Sequence, residues 1–181
     1  MLPPEYPENE ALRLSTLREC RLLDSQPEER FDRLTRLARQ IFHTDIALIS
    51  LIDEERQWFK SRQGLEAQET HRDISFCGHA ILSSDVYVVE DASKDIRFSD
   101  NPLVLDAPYI RFYAGAPLHT KNGQRIGTLC IIDSEARILT TQELASLRDL
   151  ADCVEHEIAN EQAHRQHDAL LTLARITSLT F

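Results

Sequence analysis

Glycine is scarce in this chain: five in 181 residues, at Gly64, Gly78, Gly115, Gly123 and Gly127. Their spacing assembles neither a dinucleotide-binding fingerprint nor a phosphate loop. Cysteine is nearly as sparse. Cys20, Cys77, Cys130 and Cys153 stand far apart, and without a Cys-x-x-Cys pair a zinc ribbon and a thioredoxin-type motif are excluded. Positive charge is in deficit, with 20 basic residues against 30 acidic ones and a net charge of -10. Phosphate backbones and anionic bilayers attract the opposite balance, so no nucleic acid and no membrane is expected as a partner. No apolar run approaches the roughly 20 residues that span a bilayer. The start, Met1 to Glu10, is rich in proline and glutamate and does not read as a signal peptide. Reduced thiols in a cytoplasmic location are the expectation.

What the chain does have is an ordinary globular composition, 42% hydrophobic and 28% charged. Its length suits one domain with extensions. Residues 1–9 are expected to be disordered. An irregular apolar stripe, Leu12, Leu14, Leu17, Leu22 and Leu23, predicts a helix from Asn9 to Leu23. Ser25 and Pro27 read as the cap and first turn of a second helix, whose buried face is Phe31, Leu34, Leu37, Ala38, Ile41 and Phe42. The period then changes. Ile46 to Ile52 is a nearly continuous apolar run, a central strand. Arg56 to Gln63 returns as a second strand, and residues 65–73 read as polar loop.

Ser75 caps a short helix over Phe76 to Leu82, and Val86 to Val89 is a short strand. Asp91 to Asp106 is loop with turn chemistry. Phe112 to His119 and Arg125 to Asp133 form a hairpin across Lys121-Asn122-Gly123. Thr140 or Thr141 caps a last helix with Glu143 near its start. Leu144, Leu147, Ala151, Val154 and Ile158 recur there at heptad spacing and read as a dimer seam. The polar stretch beyond Ala159 and the apolar residues after it read as a connector, residues 161–181, from which the natural protein continues. Hairpin links imply an antiparallel sheet with the terminal helices on one face. A largely irregular segment roofs the other, an arrangement that encloses a cavity.

Five motifs in order carry a resemblance. They are Asp73-Ile74-Ser75-Phe76-Cys77-Gly78-His79-Ala80-Ile81; Val88-Val89-Glu90-Asp91-Ala92; Asp95-Ile96-Arg97-Phe98-Ser99-Asp100-Asn101-Pro102; Ile110-Arg111-Phe112-Tyr113-Ala114-Gly115-Ala116-Pro117-Leu118; and Gly127-Thr128-Leu129-Cys130-Ile131-Ile132-Asp133. Over about residues 10–160 the chain resembles a GAF domain of the type that precedes diguanylate cyclases and histidine kinases in bacterial signalling proteins. The resemblance implies an α+β, profilin-like fold. Its features are a five- or six-stranded antiparallel sheet, terminal helices on one face, a loop-roofed pocket on the other, and homodimers that pass a signal to an output domain.

Cys77 is expected just inside a helix start, where backbone N–H groups favour a thiolate and His79 can assist. The competing reading is a small buried hydrophobe. Arg97, Asn101 and Arg111, with Asp91, either bind an anionic or polar ligand or hold the roof loop by ion pairs. Phe76, Phe98, Phe112 and Tyr113 either line the pocket or pack the core. Cys130 falls in a strand. His156-Glu157 opens like a zinc-protease motif, but Asn160 occupies the place of the second histidine, and no metal site is expected.

Three functions follow as expectations. The first is a non-enzymatic sensor of a small ligand or of redox state, its ligand and any cofactor unnamed by the residues. The second is a thiol-dependent reductase of free methionine sulfoxide, on the strength of Cys77 before Gly78. The third is a ligand-free dimerisation module.

Overall fold

The seven residues of β1 (Ile46–Ile52) are all buried, because both faces of the strand are covered. The computed structural model describes residues 1–178 and places β1 near the centre of a six-stranded sheet. The other strands are β2 (Arg56–Gln63), β3 (Glu69–His71), β4 (Tyr87–Val89), β5 (Phe112–His119) and β6 (Arg125–Asp133). The order is β3-β2-β1-β6-β5-β4, and every neighbouring pair is antiparallel. Five α-helices accompany it among the described residues: α1 (Glu10–Glu19), α2 (Glu29–Phe42), α3 (Phe76–Ala80), α4 (Pro102–Leu105) and α5 (Thr141–Ser178). The fold is α+β, and its four long strands lie where the change of hydrophobic period puts them.

Alternation along the strands divides the core in two. Ala47, Ile49 and Leu51 face one way, with Phe112, Ala114, Ala116 and Leu118 of β5. They meet Phe31, Ala38 and Phe42 of α2 and Leu147, Ala151, Val154 and Ile158 of α5. Ile46, Leu48 and Ile52 face the other way, with Tyr113, Cys130 and Ile132. They are roofed by α3, α4 and the segments between them, which bring Phe76, Ala80, Phe98 and Val104.

Four expectations need correction. The second helix does not start at Ser25: α2 begins at Glu29, and Ser25 Oγ donates to Leu22 O at 2.5 Å while accepting from Lys60 Nζ at 2.7 Å. The hydroxyl satisfies a turn instead of a helix end. The segment 65–73 is not all loop, since Glu69–His71 pair with β2 as an edge strand. Residues 1–9 are not loose. The Leu2 amide donates to Arg97 O at 3.0 Å, Pro4 is buried against Gly78, and the Tyr6 ring lies 4.3 Å from the Arg72 guanidinium.

The fourth correction concerns the proposed seam. Leu147, Ala151 and Val154 are fully buried and Ile158 nearly so, packed against the chain's own α2 and β5, with Leu144 half-buried beside them. Heptad spacing marks one apolar stripe, and a stripe laid on a sheet has the same period as one laid on a partner helix.

α5 starts with a reciprocal cap. Thr140 Oγ1 accepts from the Glu143 amide, and Glu143 Oε1 accepts from the Thr140 amide, both at 3.1 Å. Its 38 residues run about 57 Å at 1.5 Å per residue. From Gln166 onward every described residue is exposed. Residues 179–181, part of the expected connector, lie outside the described residues. No helix among the described residues is long and apolar enough to cross a membrane.

Candidate functional site

The short helix α3 is fixed by its cap: Ser75 Oγ accepts from the Gly78 amide at 3.1 Å. That cap sets Cys77 over the sheet, where Tyr113 of β5 and Thr128 and Cys130 of β6 point toward it. Tyr113 Oη donates to Cys77 Sγ at 3.1 Å and Thr128 Oγ1 donates to it at 3.2 Å. The sulfurs of Cys77 and Cys130 are 3.9 Å apart. All four residues are 2% exposed or less. With only five residues, α3 has little dipole to offer, so the hydroxyls make the environment of the thiol.

Burial pushes the Cys77 thiol up, but Cys130, Ser50, Thr128 and Tyr113 together outweigh it and bring it down to about 7. The Ser50 hydroxyl is shared with Gln57 Oε1, to which it donates at 2.9 Å. Cys130 goes the opposite way, raised well above an ordinary thiol by burial and by Cys77. Tyr113 is raised for the same reasons. The two sulfurs are therefore pushed in opposite directions, Cys77 toward the thiolate and Cys130 toward the thiol.

Cys77 and Tyr113 line a cavity of about 110 Å³ with Ile46, Leu48, Phe59, Phe76, Ile110 and Ile132. Its rim includes the exposed Ala67 and Ala107, so it reaches the surface between the loop after β2 and the loop after α4. No Asp, Glu, Lys, Arg or His lines it, and its polar members include Gln57, Thr70 and the Cys77 thiol. A wider polar hollow of about 370 Å³ lies between residues 24–27 and β2. The buried cation there, Lys60, is already held by Ser25, Gln26 and Glu28.

Of the candidate residues, the structure brings Phe76, Cys77 and Tyr113 to the cavity, with Cys130 adjoining through its sulfur. Phe112 lies on the opposite face, against the helices, as strand alternation requires. The remaining six hold the roof. Phe98 stacks on Phe76 with ring centroids 4.1 Å apart. Arg97 pairs with Asp95 at 2.5 Å and donates to Tyr87 Oη. Asp91 accepts from the Ser93 amide, and Asn101 caps α4 through the Leu103 amide and donates to Ile74 O. Arg111 Nη1 donates to the carbonyls of Val104 and Ile110. His79 Nε2 lies 3.0 Å from Leu2 O.

Sequence reading passed over Thr128 and the cavity's aliphatic wall. The alternation of Thr128, Cys130 and Ile132 on one face of β6 was the available signal. It also passed over Gly115. A Cβ there would lie 2.2 Å from Tyr113 Oη, so glycine is what lets the phenol lie across its own strand and reach Cys77. Gly115→Ala is expected to displace that hydroxyl, cost about 1–3 kcal/mol and raise the Cys77 pKa above its value near 7. Alkylation of Cys77 followed by mass spectrometry across pH reads the shift; an unmoved midpoint would show that Tyr113 does not set it.

Comparison with known proteins adds to this geometry. The chain is 44% identical over 155 residues to a protein of Pseudomonas aeruginosa named a cyclic di-GMP phosphodiesterase, a match covering 85% of this chain and 26% of that protein. The chain thus spans about a quarter of that relative's length. The crystal structure of a free methionine-R-sulfoxide reductase from Neisseria meningitidis superposes with a TM-score of 0.60 at 17% identity, covering 91% of this chain and 99% of that one. The GAF domain of an Acinetobacter phosphoenolpyruvate-protein phosphotransferase superposes with a TM-score of 0.59 at 17% identity, covering 86% and 95%. The expectation of a non-enzymatic protein is corrected by these relatives, since one carries the name of a phosphodiesterase and another that of a reductase. The model of the GAF domain matches residues 26–158, which takes in α2, all six strands and most of the sheet-packed part of α5, and the chain belongs to the GAF domain family.

Proposed function

We propose that the chain is a ligand-binding regulatory module of cyclic di-GMP signalling. Occupancy of the cavity is passed through β5 to α5, and from α5 to a catalytic domain that turns over cyclic di-GMP. The observation that carries this reading is the two-sidedness of β5. Tyr113 lines the cavity, while its neighbours Phe112 and Ala114 pack in the cluster that contains Leu147, Ala151 and Val154 of α5. A displacement of Tyr113 is felt one residue away on the other face. Polar contacts lock the same strand to the same helix. Arg148 Nη1 donates to Pro117 O at 2.7 Å, and the His119 amide donates to Glu155 Oε1 at 2.8 Å. The 44% identity to a cyclic di-GMP phosphodiesterase supports the choice of pathway.

The ligand is small, neutral and apolar. Engineered apolar cavities of about 150 Å³ hold benzene or xenon, and this one is somewhat smaller. Free methionine sulfoxide carries a carboxylate, and a wall with no Lys, Arg or His leaves it without a counter-ion. Thermal shift with neutral compounds of benzene size, with free methionine sulfoxide alongside, tests the ligand. A binder at about 100 times its Kd adds about 2.7 kcal/mol. The expected result is a rise in Tm with an apolar compound, abolished by Leu48→Trp, and a change in cyclic di-GMP hydrolysis by the full-length gene product with the same compound. A rise with methionine sulfoxide alone, or hydrolysis indifferent to both compound and Leu48→Trp, would overturn the reading.

A further inference from the structure

The regulatory reading leaves the two sulfurs unexplained. A cavity that only held a neutral guest would need neither a thiolate environment nor a second cysteine beside the first. We propose that Cys77 and Cys130 are a peroxide-reactive dithiol that takes short-chain alkyl hydroperoxides in the apolar cavity and closes to a disulfide. This goes beyond the regulatory reading and does not depend on it, because the chemistry is complete within the chain.

Each part of the site has a place in the reaction. The alkyl group of the hydroperoxide lies against Leu48, Phe59 and Ile132, which line the cavity with Cys77. Cys77 Sγ attacks the terminal peroxide oxygen. An S–O bond forms as the O–O bond breaks, and the electron pair leaves with the alkoxide. The alkoxide takes a proton from the hydroxyl of Tyr113 or Thr128, the two groups that donate to the same sulfur. That hydroxyl is restored by the proton Cys77 gave up. Cys77 is now a sulfenic acid. The thiol of Cys130 then attacks it: the S–S bond forms, the S–O bond breaks, and hydroxide leaves with the Cys130 proton as water. Two thiols and one hydroperoxide give one disulfide, one alcohol and one water.

The sulfurs stand 3.9 Å apart and a disulfide needs about 2 Å, so the closure is a local movement of α3 toward β6. The second sulfur also discriminates between chemistries. An alkylating electrophile has no use for it, whereas a sulfenic acid requires a neighbouring thiol to go on to a disulfide. Burial is the first cause that raises Cys130 and the charge on Cys77 adds to it; the second of these is gone once Cys77 is oxidised.

The test uses the reduced chain and tert-butyl hydroperoxide, with hydrogen peroxide as the small polar comparison, read by intact mass and by mapping of unreduced peptides. The expected product is two hydrogens lighter and contains a Cys77–Cys130 crosslink. It forms at least tenfold faster with the alkyl hydroperoxide than with hydrogen peroxide. Cys130→Ala should stop at a sulfenic acid on Cys77 that dimedone traps, and Cys77→Ala should leave Cys130 reduced. Leu48→Phe, which narrows the cavity and keeps both thiols, should slow the alkyl hydroperoxide and spare hydrogen peroxide. Oxidation confined to the exposed Cys153, equal rates with both peroxides, or a Cys130 that oxidises without Cys77 would each overturn the proposal. None of these readouts involves cyclic di-GMP, so failure here is distinct from failure of the regulatory reading.

Discussion

Val154→Asp is expected to unfold the chain, not to separate two subunits. Val154 is completely buried where α5 meets α2 and β5. An aspartate there leaves a carboxylate in an apolar core with no partner, which costs on the order of 4 kcal/mol or more. Whole-domain stabilities run from about 5 to 15 kcal/mol, so one side chain removes between about a quarter and four-fifths of the total. Far-UV circular dichroism and thermal melts should show loss of the cooperative transition. Leu173→Asp is the control: Leu173 lies in the same helix but is 59% exposed, and its Tm should not move. A folded, monomeric Val154→Asp protein would restore the seam that the sequence pattern suggested.

The second large effect is expected at Glu10. Arg13 and Arg72 are both 1% exposed, and both reach for this one carboxylate. Arg13 holds both of its oxygens, at 2.7 and 2.8 Å, and Arg72 Nη1 lies 2.5 Å from Oε1. Arg13 also donates to Ile52 O and Arg72 to Asp53 O, so the cluster ties α1 to the end of β1 and to the turn after it. Glu10→Ala leaves two buried guanidinium groups without their counter-ion, a loss of about 3 kcal/mol.

The pH dependence follows from the same contacts. Burial pushes the Glu10 carboxyl up, but hydrogen bonds and charge from Arg13 and Arg72 outweigh it and hold it below its ordinary 4.5. A depressed folded pKa means the stabilisation is present above the unfolded value and is lost as pH falls through the folded one. Denaturant melts between pH 7 and pH 3 should therefore show wild type losing stability on the acid side more steeply than Glu10→Ala. Parallel curves would remove Glu10 from the account.

How much of this was legible in the sequence depends on the kind of signal. Period-2 and period-3.6 patterns are local, so β1, β2, β5 and β6 could be bounded from residue order alone. The same rule separates Phe112 from Tyr113, and applying it to single residues would have kept Phe112 out of the pocket. Ser25 misled because a serine before a proline and two glutamates has the composition of a helix start, while its partners, Leu22 and Lys60, are settled by tertiary structure. The Glu10–Arg13–Arg72 cluster was illegible for a deeper reason. Charges on an amphipathic helix read as a solvated face, and only the fold brings Arg72 to α1. The Cys77–Cys130 pair is likewise a product of topology, since the two residues sit on α3 and β6.

The sheet order also governs how the chain comes to be folded. β1 is hydrogen-bonded to β6, with Leu48 opposite Cys130, so the innermost ladder joins segments from opposite parts of the sequence. During synthesis β1 and β2 emerge as a hairpin whose inner edge stays unpaired until β6 leaves the ribosome, on the order of ten seconds later. That edge belongs to a strand with no polar face, the kind that recruits other nascent chains. The protein is thus most exposed to aggregation during translation, and a nascent chain halted before Arg125 has no route to a closed sheet.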